Sequence, residues 1–381
     1  MSSSKSPHVL IAGAGIGGLA LAQALRKRGI SYEIFERDQS SSERRAGWVV
    51  GFHTMLDDFK ASTLDDLPPI SVISNLGPLT DVYRPEFVYY DPAKTFPGKI
   101  GVRDDGTGWV IRASRHKLIQ WLATHIPVQY NKQVVKVEEG EEKVKIFFQD
   151  GTSAEGDILV GAEGGRSATR RHILRDSIDP VRNVKMGTIG GSNILSGDAM
   201  IEQLELGHSL YTVDMHSTNG SPMILLVSLG EIAPDGKSGT FFWVLIWPDE
   251  EAVKDDFWTN TASAEEQWKF VTEKWTLFLN SLPTGRVTLL GDAAHAMPPF
   301  RGEGAFHAVT DALNLARAIA TVDKDDTASI KAAFGPYQEE MLERGREAAK
   351  ASEMNFSVKR EVGGSNPIIA WRRPVGLLPE E

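Results

Sequence analysis

The feature that most constrains this chain is the run Gly13-Ala14-Gly15-Ile16-Gly17-Gly18. It lies between a short apolar run, His8–Ala12, and an Ala/Leu-rich stretch, Leu19–Lys27, that closes at Gly29. The apolar run reads as a buried strand and the Ala/Leu stretch as a helix. A second strand is predicted at Ser31–Glu36, after a loop too short for anything else. Strand, turn, helix and strand form a βαβ unit, which implies a parallel sheet. In a G-x-G-x-x-G turn the first glycine permits the tight bend and the second lets a pyrophosphate approach the backbone. The third lets the helix pack closely on the strand, and the helix N-terminus offers free N–H groups to the phosphates. Glu36 stands 18 residues past Gly18, near the ~20 expected of a carboxylate that binds ribose hydroxyls. A dinucleotide site is therefore expected, with Gly13, Ala14, Gly15, Gly18 and Glu36 as candidate contacts.

Composition narrows the chemistry. Among 381 residues there are 41 Lys and Arg against 51 Asp and Glu, a formal charge of −10, and no cysteine. The acidic balance, with no basic block, argues against nucleic acid and against docking on anionic membranes. Absent cysteines remove disulfides, thiolate catalysis, iron–sulfur clusters and the usual structural zinc sites, and no metal site is expected. Redox chemistry must then belong to an organic cofactor. No signal-type segment and no run of ~18 apolar residues is present, so a cytoplasmic protein is expected, monomer or homodimer, acting on a small molecule. Pro367–Leu378 reads as a tail packed on its own domain or frayed.

Further along, Gln39–Gly51 is a polar, glycine-marked loop and Thr54–Gly108 a proline-rich stretch without periodicity. A helix is predicted at Arg115–His125, with strands at Val128–Val137, Val144–Gln149 and Asp157–Ala162. Residues Pro180–Trp247 are strand-like, clearest at Met223–Leu229 and Thr240–Ile246. A helix at Glu265–Leu282, a strand at Arg286–Leu290, a loop at Gly291–Gly304 and helices at Ala305–Ala320 and Ile330–Ser352 follow. The expected fold is α/β: a Rossmann-like, parallel-sheet domain (1–70, 111–178 and 281–360, the last with C-terminal helices) interrupted by a β-rich substrate domain (179–280). An irregular excursion at 71–110 leads toward the substrate domain, and 361–381 form a tail.

The dinucleotide is indicated downstream. Gly291-Asp292-Ala293-Ala294-His295 follows a strand, then Met297-Pro298-Pro299-Phe300-Arg301-Gly302-Glu303-Gly304-Ala305 opens a helix. A simple NAD domain has no use for a second such loop so late. Here the chain resembles the class A FAD-dependent monooxygenases, the group of para-hydroxybenzoate hydroxylase. The resemblance implies that Asp292 meets the flavin ribityl chain and that Pro298, Pro299, Gly302, Gly304 and Ala305 lie along the ring. Glu36-Arg37 resembles the pair ending the family's second strand, and Arg44-Arg45-Ala46-Gly47 its loop at the flavin edge, so Arg37, Arg45 and Gly47 join the candidate FAD contacts. Arg115, opening Arg-x-x-Leu, resembles the family's phosphate-supporting arginine, with Arg112 competing. Asp157-x-x-x-Gly161-Ala162-Glu163-Gly164-x-x-Ser167-x-x-Arg170 resembles its second fingerprint, except that Glu163 replaces Asp on a longer arm. Phe306 and His307 stand where members often carry Asn, which leaves the backbone N–H groups of Gly304 and Ala305 to face the ring.

The resemblance implies FAD, NADPH or NADH and O2 as co-substrates, and oxygen insertion through a flavin hydroperoxide into a small, largely apolar aromatic or polyketide-like molecule. Epoxidation, Baeyer–Villiger insertion, two-electron oxidation, or a flavin scaffold without turnover are the alternatives. Tyr211 and His216, with Asp214, are read as alternating along a strand toward one face, able to deprotonate a phenol. They are the catalytic candidates, with Pro299 beside the ring. His295 is read as orienting its loop, and Phe241, Trp243, Ile246 and Trp247 as core.

Overall fold

The computed structural model describes residues 6–41, 49–52, 56–90, 99–104, 111–175, 181–183, 186–207, 210–216, 220, 222–249, 275–277, 279–298 and 302–357. The chain begins with the expected unit, β1 (Val9–Ala12), α1 (Ile16–Lys27) and β2 (Tyr32–Phe35). Next come β3 (Val49–Phe52), α2 (Leu56–Ala61), β4 (Glu86–Tyr90), β5 (Lys99–Arg103), β6 (Ile111–Ser114) and α3 (Arg115–Leu122). Five strands follow, β7 (Val128–Gln129), β8 (Val134–Glu139), β9 (Val144–Phe148), β10 (Ser153–Gly156) and β11 (Ile158–Gly161), then α4 (Ala168–Leu174). The middle holds β12 (Arg182–Asn183), β13 (Met186–Ser196), α5 (Gly197–Gly207), β14 (Leu210–His216), β15 (Pro222–Ile232) and β16 (Ser238–Pro248). The remaining elements are β17 (Trp275–Thr276), β18 (Val287–Leu289), α6 (Gly304–Ile319) and α7 (Thr327–Ser357).

A five-stranded sheet, ordered β18-β11-β1-β2-β7, pairs in parallel throughout. Successive residues of β1 serve opposite faces. Val9 and Ile11 join the core built with α1 and α6, whereas Leu10 and Ala12 pack with Val137, Val144, Ile146 and Phe148 of the antiparallel β8–β10 layer. Covering both faces explains why β1 and β11 are apolar without alternation. Because β1, β11 and β18 run in parallel, the loops after them gather at one edge. These are Gly13–Gly15, Ala162–Gly164 and Gly291–Ala293, and such an edge is where open α/β sheets bind ligands.

The second sheet has six strands, ordered β13-β16-β15-β14-β4-β5. One face is covered by α5, whose Met200 and Leu204 pack on Leu229 and Phe241. The other turns toward the nucleotide-binding layer: Ser228 on that face accepts from Arg112 on β6. The antiparallel β3–β6 pair carrying Arg112 itself belongs to the first layer, through Val50, Phe52 and Ala113. Among the described residues, no helix is long and apolar enough to span a membrane, and no group of His, Asp and Glu could hold a metal.

Several expectations change. Residues 71–110 are not merely irregular: they supply β4 and β5, the edge of the six-stranded sheet. Val128–Val137 divides at Asn131, whose φ is +57°, so that β7 enters the parallel sheet and β8 the antiparallel layer. The helix expected at Glu265–Leu282 lies partly outside the described residues, and its end is not helical. There β17 pairs with β12, and Leu277 N–H donates to Ala296 O at 2.9 Å. α5 was hidden in a strand-like stretch, although Met200, Leu204 and Gly207 recur at helical spacing on its buried side.

Candidate active site

The glycine loop is built by contact. Gly13 has φ +101°, and a Cβ there would lie 2.4 Å from Ala162 O. A Cβ on Gly18 would lie 2.0 Å from Gly13 O, because α1 is drawn tightly onto β1. Gly15, in contrast, faces open space, with no atom within 4 Å of such a Cβ. The three glycines thus divide into two that close the turn and one that keeps room beside it. Glu36, 5% exposed, reaches back to accept from Ala14 N–H at 2.8 Å and from Asp38 N–H at 3.2 Å. Arg37 is exposed beside it.

The second arc follows β18. Gly291 (φ +58°) turns the chain and leaves Asp292 exposed, and a Cβ on Gly304 would stand 3.9 Å from Asp292 Oδ1. The carboxylate of Asp292 therefore sits by the start of α6, the helix that Gly302 (φ +64°) leads into and whose first turn holds Ala305. Pro298 is buried, and its carbonyl accepts from Ser352 Oγ at 2.7 Å. Arg45, Gly47 and Pro299 lie outside the described residues.

Beneath this arc is a buried charge network that the motifs did not reveal. Asp311 of α6, fully buried, accepts from Gly291 N–H at 2.7 Å, His295 Nε2 at 2.7 Å and Arg344 Nη2 at 2.6 Å. Burial opposes its charge, but His295 and Arg344 hold the carboxyl down to about 2. Burial likewise disfavours the charged form of His295, and Asp311 more than offsets it, leaving the imidazole raised. Arg344 also donates to His307 Nδ1 at 2.9 Å. α7 closes over the network at Gly345, where a Cβ would lie 2.5 Å from the His295 ring. The sequence signal was Asp311 itself, a lone carboxylate among Val309, Ala312 and Leu313 on the buried side of α6.

The second fingerprint has a structural task. Glu163 accepts from Ser167 Oγ at 2.6 Å and from Thr169 N–H and Oγ1 at 3.0 and 2.8 Å. Its longer arm therefore folds onto the start of α4. Glu163→Ala is expected to destabilise the protein by about 1 kcal/mol in urea unfolding, as loss of a helix cap does. Arg170, 1% exposed, ties the fingerprint to the second arc by donating to Gly165 O and Ala293 O.

Of the two arginines left open, Arg115 opens α3 half-buried, while Arg112 is 3% exposed and points to Ser228 Oγ at 3.4 Å. Burial lowers the Arg112 guanidinium to about 9. The shared face read for Tyr211 and Asp214 is corrected: they are three apart on β14, so they fall on opposite faces. Tyr211 lies on the α5 side, donates to Gln203 Oε1 at 2.8 Å, and is raised by burial, so it is held as a protonated phenol. The His216 side chain lies outside the described residues. Phe241 and Trp243 join the α5-side core, but Ile246 belongs to the opposite face.

Residues 116–352 match the family described as FAD binding domain, and residues 11–60 match the NAD(P)-binding Rossmann-like domain. An FAD-dependent monooxygenase of Trichoderma harzianum is 38% identical, over 98% of this chain and 97% of its own.

The chain belongs to the FAD-dependent monooxygenases.

The 6-hydroxynicotinate 3-monooxygenase of Pseudomonas fluorescens is a more distant relative, 26% identical over 92% of each chain. Among solved structures, the 2,6-dihydroxypyridine-3-hydroxylase of Arthrobacter nicotinovorans shares the fold. It has a TM-score of 0.69 at 18% identity, covering 100% of this chain and 99% of its own. The residues of this monooxygenase fit FAD. Gly15 keeps space at the start of α1, Glu36 directly follows β2 and holds the Ala14 N–H, and Asp292 lies exposed where α6 begins.

Proposed function

We propose that this monooxygenase uses NADH or NADPH and O2 to place one oxygen atom on a small, largely apolar aromatic or polyketide-like substrate. The observation that carries the reading is the meeting of two glycine loops, after β1 and β18, at one edge of the parallel sheet. In this reading the first loop and the α1 N-terminus take the FAD diphosphate at Gly13, Ala14, Gly15 and Gly18, and Glu36 takes the ribose. Asp292 takes the ribityl chain, while Pro298, Gly302 and the N–H groups of Gly304 and Ala305 border the ring. Arg37, Arg45, Gly47 and Arg115 complete the FAD contacts. FAD when bound supplies the two-electron chemistry: NAD(P)H reduces it, and O2 is split between substrate and water. The chain's own residues orient ring and substrate and keep water from between them.

The buried, hydrogen-bonded phenol of Tyr211 gives no support to a general base there; of the other two candidates, His216 carries a basic side chain, whereas Pro299 has none and serves in this reading only to border the ring. Residues 1–70, 111–178 and 281–360 form the FAD-binding part in this reading. Residues 179–280 form the substrate part, with 71–110 adding its edge. The purified protein is expected to show a flavin absorption band and substrate-stimulated NAD(P)H oxidation, with oxygen from labelled O2 in the product. Label absent from product, with peroxide released in proportion to NAD(P)H consumed, overturns oxygen insertion.

A further inference from the structure

The buried side of α7 near its end is made of small residues, Gly345, Ala348, Ala349 and Ser352, which recur at helical spacing. That side lies against the loop between β18 and α6. A Cβ on Gly345 would stand 2.5 Å from the His295 ring, and Ser352 Oγ donates to Pro298 O at 2.7 Å. Gly345 and Ser352 are seven residues apart on the helix, about 10 Å along its axis. His295 and Pro298 are three residues apart in the loop, a length of chain that spans about 10 Å at most. The loop is therefore drawn out along α7 from His295 to Pro298.

Up to Ala296 the loop is held by other parts of the first layer. Gly291 N–H meets Asp311, His295 N–H returns to Gly291 O at 3.0 Å, and Ala296 O accepts from Leu277 N–H at 2.9 Å. Pro298 differs, because proline has no N–H and only its carbonyl can tie its backbone. The residue after it, Pro299, lacks that donor as well. Ser352 supplies the hydrogen bond that the buried Pro298 carbonyl requires. Serine is not the residue a helix prefers at such a place. Alanine favours the helix more, and a serine hydroxyl inside one ordinarily turns to solvent or to the carbonyl a turn earlier. This hydroxyl, fully buried, instead reaches a segment 54 residues earlier.

We propose that Ser352 is a positioning residue for the isoalloxazine end of FAD. Through the Pro298 carbonyl it fixes the loop that borders the ring. The inference rests on the reading above, which puts Pro298 beside the ring and the glycine turn after β1 under the diphosphate. In that reading Ser352 acts on the ring half of the cofactor alone, since Gly13–Gly18 and Glu36 hold the other half from a different loop.

The test titrates protein stripped of flavin with FAD and with ADP-ribose, which keeps the diphosphate and lacks the ring. Ser352→Ala is expected to weaken FAD binding roughly 3- to 10-fold, the factor that one hydrogen bond of ordinary strength carries, and to leave ADP-ribose binding unchanged. Gly15→Ala weakens both ligands. Ser352→Thr keeps the hydroxyl and is expected to restore FAD binding, whereas Ser352→Gly removes it without added bulk and is expected to follow Ser352→Ala. The visible flavin band of FAD-loaded Ser352→Ala is expected to shift while its Tm stays close to wild type. Trp121→Phe removes a comparable bond elsewhere, from the indole N–H to Pro68 O at 2.8 Å. It is expected to lower Tm and to leave both affinities unchanged. Ser352→Ala that binds FAD as tightly as wild type, or that loses FAD and ADP-ribose in equal measure, overturns the assignment. Wild type that binds neither ligand overturns the site reading itself, and the inference falls with it.

Discussion

Asp311→Ala is expected to destabilise the protein by about 3–5 kcal/mol and to leave it largely free of flavin. Removing one partner of a buried ion pair strands the other in a medium that cannot solvate it. Here His295 and the Gly291 N–H lose the carboxylate they share, while Arg344 loses one of its two carboxylate partners and keeps Glu340. Gly291 precedes Asp292, so the backbone that aims Asp292 beside the start of α6 loses its anchor. Urea unfolding and the FAD-to-protein ratio measure the two effects.

Asp311→Asn keeps the shape and isolates the charge. The Asp311 carboxyl is held near 2, below its ordinary 3.8, so its contribution is present above 3.8 and is lost as pH falls toward 2. His295 is raised above its ordinary 6.5, so its contribution is present below 6.5 and is lost as pH rises through the raised value. The stability gap between wild type and Asp311→Asn is therefore expected to be widest near pH 5 and to narrow on both sides. A gap constant from pH 3 to pH 9 contradicts the charge pairing.

Gly18→Ala and Gly15→Ala are expected to fail in different ways. A Cβ at residue 18 meets Gly13 O at 2.0 Å, and that oxygen cannot retreat, since Gly13 is itself packed against the Ala162 backbone. α1 must lift from β1, with a loss of about 3 kcal/mol or more, and flavin is lost with it. A Cβ at residue 15 meets nothing, so the fold is expected to stay within about 1 kcal/mol of wild type. It enters the open space that the proposed reading gives to the diphosphate, and on that reading FAD affinity is expected to fall about 10- to 100-fold, or roughly 1.4–2.7 kcal/mol. Flavin fluorescence titration alongside urea unfolding separates the two. Equal loss of stability in both variants contradicts the open space at Gly15.

The parts of the site that were legible in the sequence are those made by neighbours along the chain. A strand, a glycine turn and a helix are specified by local backbone freedom and apolar spacing, and the β1–α1 loop and the Gly291–Gly304 loop both carry that pattern. Glu163 shows where such reading stops. Its place in the fingerprint was plain, but its target, the start of α4, is set by how the turn at Gly164 (φ +77°) folds the chain back. Tyr211 and Asp214 show a second limit. Their separation by three residues already puts them on opposite sides of a strand, yet only the packing of α5 decides which side faces the flavin layer.

The sequence by itself determined that this chain opens with a dinucleotide-binding βαβ unit, that a second glycine loop returns to it late, and that its redox chemistry needs no sulfur. These follow from φ/ψ freedom, periodicity and composition, which each stretch carries with it. The tertiary structure alone decided that Asp311 gathers His295, Arg344 and Gly291, and that Ser352 holds the Pro298 carbonyl. Burial and pairing depend on groups brought together from up to 33 residues away for the ion pair and 54 for the serine hydroxyl. No local pattern encodes those distances.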